Sequence, residues 1–107
     1  VAAARGGTLR PEMVQGGSFT LSNPGADGNL FGISVIRQPE VAILRAGAVV
    51  KRPVVRELEG EDAIVVRPMM YAALSYDHRV IDGRTGNAFL RAVVDRLEQM
   101  PPLLGAR

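Results

Sequence analysis

The sequence predicts an α/β fold, in which a mixed β-sheet has helices packed on it. Two patterns lead to this prediction. Apolar, β-branched runs recur through most of the chain and are separated by glycine, proline and asparagine, which is typical of strands joined by turns. The last part of the chain instead repeats apolar residues at helical spacing. Strands followed by a helix that can cover one face of their sheet are typical of a layered α/β domain.

The beginning of the sequence predicts the end of a helix. Residues 1–5 are mostly alanine, and Gly6 and Gly7 follow where glycine commonly ends a helix. Because no capping residue precedes this segment, we expect the helix to begin before the first residue of the sequence. Pro11 suits the first turn of a short helical piece within residues 8–14.

The next segment predicts two strands around a loop. Residues 18–23 combine β-branched and aromatic residues with polar alternation, which favours a strand. Residues 24–30 are rich in glycine, proline, asparagine and aspartate and predict a loop. Residues 31–36 are expected to form a short second strand.

The central part of the sequence predicts a buried strand and a hairpin. Residues 41–44 are all apolar, which suits a central strand. Residues 47–56 and 63–67 lie on either side of a polar turn at residues 57–62, so we expect them to pair as a hairpin. Proline cannot donate a hydrogen bond to a neighbouring strand, so Pro53 marks an edge or an end.

The last predicted strand leads into the last predicted helix. Residues 69–76 form an apolar run that favours a strand, and residues 84–100 show an apolar period of a helix. Either Asp82 or Thr85 can cap the start of this helix, and the proline pair at residues 101–102 is expected to end it. The predicted apolar face of the helix consists of Ala88, Phe89, Ala92, Val93 and Leu97.

The composition excludes several classes of function. A chain of 107 residues is at most one domain, and the absence of cysteine excludes disulfides and thiolate chemistry. All basic residues except Lys51 are arginine, but they are scattered among acids and the net charge is only +2, which argues against nucleic-acid binding. No apolar run is long enough to cross a membrane, and the N-terminus lacks the pattern of a signal peptide.

The only histidine, His78, is the main candidate for chemistry. A single histidine near a turn is usually a polar loop residue. His78, however, follows an apolar strand and has aspartates at positions 77 and 82. Imidazole is the side chain best suited to general-base catalysis near neutral pH. The rival use, a zinc site, needs three or four ligands that one histidine without cysteine does not supply.

Two further residues are candidates, each with a purely structural alternative. Asp82 is either only the cap of the following helix or also a carboxylate that fixes the turn around the imidazole. Ser22 is either a turn residue or a hydroxyl that donates a hydrogen bond to a developing oxyanion. Ser22 and His78 are 56 positions apart, so only the fold or a neighbouring subunit can bring them together. No cofactor-binding residues are assigned, because the glycines lack the spacing of a phosphate-binding loop.

Two stretches of the sequence resemble a known family. Residues 75–83 read SYDHRVIDG and resemble the DHRxxDG signature of the dihydrolipoyl acyltransferases of 2-oxo acid dehydrogenase complexes. Residues 16–25 read GGSFTLSNPG and resemble the GGTFTISN-like segment of that family, while residues 38–44 and 67–83 match its sheet. Arg37 and Arg45 stand where the family usually has asparagine and glycine.

The resemblance implies a fold and a mechanism. The fold would be like that of chloramphenicol acetyltransferase. Residues 1–107 would be the C-terminal half of the catalytic domain, without its first half and without the lipoyl and subunit-binding domains. His78 would be the base that takes a proton from the thiol of coenzyme A or dihydrolipoamide. Ser22 would hydrogen-bond the oxyanion, and Asp82 would support the geometry of the site. Histidine and serine would come from adjacent subunits.

The resemblance also implies partners. The chain would form a homotrimer that assembles into a larger core, with 2-oxo acid dehydrogenase (decarboxylating) and dihydrolipoamide dehydrogenase as further components. Coenzyme A would be a substrate, and the lipoyl group would be carried on a domain absent from this chain. The location would be cytoplasmic, or the mitochondrial matrix in a eukaryote. The motifs do not distinguish acetyl, succinyl and branched-chain acyl groups.

Two alternatives remain open from the sequence. One is a catalytically inert module that builds an oligomeric core. The other is an acetyltransferase for a small molecule such as an antibiotic. Asp77 and His78 argue against the second alternative, because antibiotic acetyltransferases typically have two consecutive histidines there.

Overall fold

The computed structural model describes residues 1–100, which form a three-stranded sheet, a separate two-stranded hairpin and a C-terminal helix. Strand β1 (Thr20–Ser22) runs parallel to β2 (Ala42–Ala46), and β2 runs antiparallel to β5 (Ala72–Tyr76). Strands β3 (Val50–Leu58) and β4 (Glu61–Met69) pair with each other. The mixed sheet predicted from the sequence is therefore confirmed.

The elements before the sheet follow the sequence closely. Helix α1 (Ala2–Arg5) ends at Gly6, and Pro11–Val14 forms a short 3-10 helix, both as predicted. The strand predicted over residues 18–23 is present but shorter, since only its last part pairs with β2. The turn that follows is a 3-10 helix over Pro24–Asp27 instead of an irregular loop.

The short strand predicted for residues 31–36 is wrong. The segment has no regular secondary structure, because no strand within residues 1–100 lies beside it to share ladder hydrogen bonds. The alternation in the sequence is still visible as alternating exposure. Every second side chain of the segment is exposed, namely those of Phe31, Ile33 and Val35.

The predicted hairpin is confirmed and is longer than expected. Its turn consists of only two residues, Glu59 and Gly60, with φ angles of 53° and 85°. Two consecutive positive φ angles are the geometry that matches the twist of a tight hairpin. Pro53 lies within β3, opposite Val66. This position tolerates proline because each strand of a two-stranded ribbon is an edge strand.

The strand predicted over residues 69–76 is divided in two. Met69 ends β4 and Ala72 begins β5, so the chain changes partner between them and passes from the hairpin to the sheet. The carbonyl of Tyr71 at this junction accepts a hydrogen bond from the N–H of Gly47 at 2.9 Å.

Helix α2 (Gly83–Glu98) packs on β5, as predicted, but with a different face. Gly86 is the buried contact point, since a Cβ at this position would lie 2.7 Å from Cε1 of Tyr76. Phe89 and Leu97 of the predicted face are 44% and 47% exposed. The missing side chain at Gly86 lets the helix approach the sheet there. The less exposed positions of the helix are Gly83, Gly86, Leu90, Val93, Val94 and Asp95.

The core of the single chain is small. Among residues 1–100, the buried apolar residues are Ala42, Ile43 and Ala48. The proline pair at residues 101–102, predicted to end the last helix, lies outside the described residues. Neither helix within residues 1–100 combines the length and hydropathy that crossing a membrane requires.

Candidate active site

His78 lies in a tight turn between β5 and α2. The N–H of Asp77 extends the sheet by donating to the carbonyl of Val41 at 2.8 Å. The carbonyl of Asp77 then accepts hydrogen bonds from the N–H groups of Val80 and Ile81, at 3.1 and 3.0 Å, which closes the turn. His78 is exposed in this turn, and its ring centroid lies 5.7 Å from that of Tyr76. The fold therefore presents the imidazole to solvent from a strand and a helix that hold its backbone on both sides.

Asp77, on one side of His78, is engaged by Arg79. The guanidinium of Arg79 donates to both carboxylate oxygens, with Nε at 2.9 and 3.1 Å and Nη2 at 2.6 Å. The backbone N–H of Arg79 adds a further hydrogen bond at 3.0 Å. These bonds lower the pKa of Asp77 to about 2. Asp77 is therefore an anion at neutral pH that braces the turn carrying His78.

Asp82, on the other side of His78, caps helix α2. Its Oδ1 accepts a hydrogen bond from the backbone N–H of Thr85 at 2.7 Å. Of the two caps that the sequence allowed, the structure therefore has Asp82. The hydrogen bonds from Thr85 lower the pKa of Asp82, and the charge of nearby His78 makes a smaller contribution in the same direction. Asp82 thus fixes the start of the helix and keeps a negative charge near the imidazole.

Ser22 is the last residue of β1 and is half-buried. The chain turns sharply after it, and this turn is packed directly on the backbone that follows β2. A Cβ at Gly25 would lie 2.2 Å from the carbonyl carbon of Gly47 and 2.5 Å from the nitrogen of Ala48. Only glycine fits there, so the turn that ends β1 is held in one position.

The structure does not bring Ser22 and His78 together within one chain. Ser22 is in register with Arg45 of β2, which in turn is in register with Ala73 of β5. His78 lies beyond the opposite end of β5. Five residues at about 3.3 Å each separate Ala73 from His78, and two strand spacings of about 4.8 Å separate β1 from β5, so the serine and the histidine are on the order of 20 Å apart. His78 and Asp82 share one turn, whereas Ser22 stands at the other end of the sheet.

Two residues of these surroundings were not assigned a role from the sequence. Tyr76 contacts both the ring of His78 and the helix at Gly86. In the sequence, Tyr76 could have been noticed as an aromatic residue at the end of the apolar strand, two positions before His78. Arg45 lies beside Ser22. In the sequence it could have been noticed as a single charge within an otherwise apolar run.

The side chains at the candidate site do not form a metal centre. Residues 1–100 contain no group of three or more histidine, cysteine, aspartate or glutamate side chains that could hold a metal ion. A large apolar groove lies along α2 and includes Phe89 and Leu97, but it does not include Ser22 or His78. This groove is therefore not part of the candidate site.

Comparison with known sequences gives a consistent set of relatives. The family model described as 2-oxoacid dehydrogenases acyltransferase (catalytic domain) matches residues 1–105. The chain is 44% identical over 99 residues to the dihydrolipoyllysine-residue acetyltransferase component of the pyruvate dehydrogenase complex of Mycobacterium bovis. It is 48% identical over 101 residues to the mitochondrial dihydrolipoyllysine-residue succinyltransferase component of the 2-oxoglutarate dehydrogenase complex of Bos taurus. These matches cover 92% and 94% of this chain but only 18% and 21% of the relatives, about a fifth of their length.

Comparison with solved structures identifies the same fold. The chain matches a structure of the dihydrolipoamide acetyltransferase of Azotobacter vinelandii with a TM-score of 0.81 and 36% identity, over 92% of this chain and 39% of that one. That structure was determined in work on the role of a serine, a histidine and an asparagine in the catalytic mechanism of that enzyme. The asparagine follows the histidine by four positions in that sequence. The cubic core of a pyruvate dehydrogenase multienzyme complex matches with a TM-score of 0.81 and 35% identity, over the same shares of the two chains. The predicted fold is thus confirmed over about two fifths of these cores.

Proposed function

Because this chain belongs to the family of 2-oxoacid dehydrogenase acyltransferase catalytic domains, we propose that residues 1–107 are the C-terminal half of such a domain. The share of the solved cores that the chain covers supports this division. The protein that contains the chain would transfer an acyl group between dihydrolipoamide and coenzyme A. The lipoyl group would be carried on a separate domain of the same protein, and coenzyme A would be a substrate.

His78 is the proposed general base. Its imidazole takes the proton from the attacking thiol, and the resulting thiolate adds to the carbonyl carbon of the acyl thioester. When the tetrahedral intermediate collapses, its bond to the leaving sulfur breaks and the protonated imidazole returns the proton to that sulfur. The observation that carries this proposal is the exposure of His78 at the end of β5, which leaves a thiol free to approach the ring.

Ser22 and Asp82 have supporting roles in the proposed reaction. The hydroxyl of Ser22 would donate a hydrogen bond to the oxyanion of the tetrahedral intermediate, a type of contact that stabilises the transition state more than the ground state. Asp82 would hold the turn that carries His78. The spacing of four positions between His78 and Asp82 equals that between the histidine and the asparagine of the Azotobacter vinelandii enzyme.

The site is proposed to form between two copies of the chain. Ser22 and His78 lie at opposite ends of one sheet, so an oxyanion donor and a base from the same chain do not reach the same carbonyl group. A trimer in which the Ser22 end of one subunit faces the His78 end of the next resolves this separation. The cubic core among the matching structures supports assembly of such trimers into a larger particle.

The partners and location of the protein follow from its relatives. We expect the decarboxylating 2-oxo acid dehydrogenase and dihydrolipoamide dehydrogenase components to assemble around the core. The relatives belong to bacteria and mitochondria, which favours the cytoplasm or the mitochondrial matrix. Neither an inert assembly module nor an antibiotic acetyltransferase is favoured by these relatives, which are named acetyl- and succinyltransferases of a dihydrolipoyllysine residue.

The test replaces His78 in the assembled, full-length enzyme. General-base catalysis contributes roughly 10²–10⁴-fold to a rate, so His78→Ala should lower kcat by at least a hundredfold in transfer from an acyl coenzyme A to dihydrolipoamide. Arg84→Ala, at an exposed position in the first turn of α2, serves as the control and should keep its activity. Particle size measured by light scattering should be unchanged for both variants. Near-normal turnover of assembled His78→Ala would remove the proposed mechanism.

A further inference from the structure

Arg45 places a positive charge next to Ser22. The two residues are in register on neighbouring parallel strands. Residues in register point to the same face of a sheet, and neighbouring strands are about 4.8 Å apart. Arg45 and Ser22 also lie at the same end of the sheet, away from His78. Arg45 is therefore a neighbour of the proposed oxyanion donor.

The guanidinium of Arg45 is held in place on one side. Its Nη2 donates to Oδ1 of Asn29 at 2.7 Å. The chain passes close to the guanidinium at Gly32, where a Cβ would lie 3.0 Å from the Cζ of Arg45. These contacts leave the side chain little freedom to swing away from the surface that it shares with Ser22.

The charge of Arg45 is not compensated within the described part of the chain. None of the ion pairs among residues 1–100 includes Arg45. Its Nε is buried and has no hydrogen-bond partner among those residues. A partly buried charge without a partner is costly, and a guanidinium matches the geometry of a carboxylate particularly well. The buried Nε itself is out of reach of an outside group, but Arg45 as a residue is only half-buried, so the rest of its guanidinium can meet a carboxylate supplied from outside this segment.

From these observations we propose that Arg45 is a specificity-determining residue that favours acyl groups with a free carboxylate, of the succinyl class, over acetyl. This inference rests on the proposed function. When the carbonyl oxygen of the acyl thioester is bound at Ser22, the rest of the acyl group lies close to the neighbouring strand. A carboxylate at the far end of a succinyl group can then pair with the guanidinium, whereas an acetyl group has no carboxylate to form this pair.

The experiment measures kcat/KM for succinyl-coenzyme A and acetyl-coenzyme A as acyl donors to dihydrolipoamide, with the assembled, full-length enzyme. The wild-type enzyme should prefer succinyl-coenzyme A. Arg45→Met should lower kcat/KM for succinyl-coenzyme A roughly ten- to a hundredfold, as expected for a lost hydrogen bond to a charged group. The value for acetyl-coenzyme A should stay within about twofold, since no charged contact of acetyl is lost. Arg56→Met, at an exposed position of the hairpin, is the matched control and should change neither value.

Each other outcome overturns the inference. Equal losses with both donors would mean that Arg45 pairs with a protein carboxylate and serves the structure. A wild-type preference for acetyl-coenzyme A overturns the inference without any variant. This measurement can therefore refute the role of Arg45 even where Arg45→Met fails to assemble. Transfer of acetyl alone leaves the proposed function intact, whereas transfer of neither acyl group by the wild-type enzyme defeats the proposed function itself.

Discussion

Replacing Gly25 by alanine should damage the end of the sheet that carries Ser22. An added Cβ would lie 2.2 and 2.3 Å from the carbonyl carbon and oxygen of Gly47, and 2.5 Å from the nitrogen of Ala48. Nonbonded carbon atoms ordinarily approach to about 3.5–4.0 Å. All three atoms belong to the backbone, so no side chain can rotate out of the way. Either the turn after β1 or the segment after β2 must move by roughly 1.3–1.8 Å to restore an ordinary contact.

The size of the effect follows from this geometry. Overpacking typically costs about 1–3 kcal/mol, and a clash with backbone belongs at the upper end of that range. We therefore expect Gly25→Ala to destabilise the catalytic domain by about 3 kcal/mol and to lower its Tm by roughly 6–12 °C. Because Gly25 is only three residues from Ser22, the displaced turn should also lower kcat, with a smaller effect on KM.

Two measurements on the assembled enzyme test this expectation. Differential scanning calorimetry gives the Tm, and the acyl-transfer assay gives kcat and KM. Ala26→Ser is the matched control, because Ala26 is an exposed residue of the same turn, and it should behave as wild type. A Gly25→Ala enzyme with normal Tm and normal kcat would show that the turn is not packed on Gly47 and Ala48 as described.

Three further predictions concern single side chains. Ser22→Ala should lower kcat roughly 10²–10³-fold with little change in KM, and an unchanged kcat in the transfer assay would remove its role at the oxyanion. The pair with Arg79 lowers the pKa of Asp77 from 3.8 to about 2, so this pair should stabilise the protein above pH 4 and lose that effect as the pH falls towards 2. Calorimetry across this range should show a smaller fall in Tm for Asp77→Asn than for wild type, and parallel curves would contradict the pairing. Glu59→Asn should stabilise the hairpin by about 0.5–1 kcal/mol, because asparagine tolerates a positive φ better than glutamate, and a lower Tm would refute this.

The local structure was largely predictable from the sequence. The hairpin, the last helix and its cap at Asp82 depend on residues close together in the chain, such as the polar turn around Gly60. The same holds for the turn that carries His78, because the DHRxxDG stretch contains both its backbone geometry and its carboxylates. Patterns of this kind report conformations that neighbouring residues impose on one another.

Features that depend on distant contacts were predicted less well. Residues 31–36 have the alternation of a strand but lack a partner strand in the described chain. The buried face of α2 is set by Gly86, which allows close contact with Tyr76, and not by the most apolar positions of the helix. The position of Ser22 relative to His78 depends on strand order, and no local pattern contains that information.

The separation of Ser22 and His78 has a consequence for mixtures of inactive subunits. A His78→Ala subunit still has an intact serine, and a Ser22→Ala subunit still has an intact histidine. If equal amounts of the two kinds co-assemble at random in rings of identical contacts, about a quarter of the interfaces pair the intact serine of one with the intact histidine of the other. Two variants that are each inactive alone would thus regain part of the activity in one mixed particle. A site formed within each single chain would instead stay inactive in every mixture.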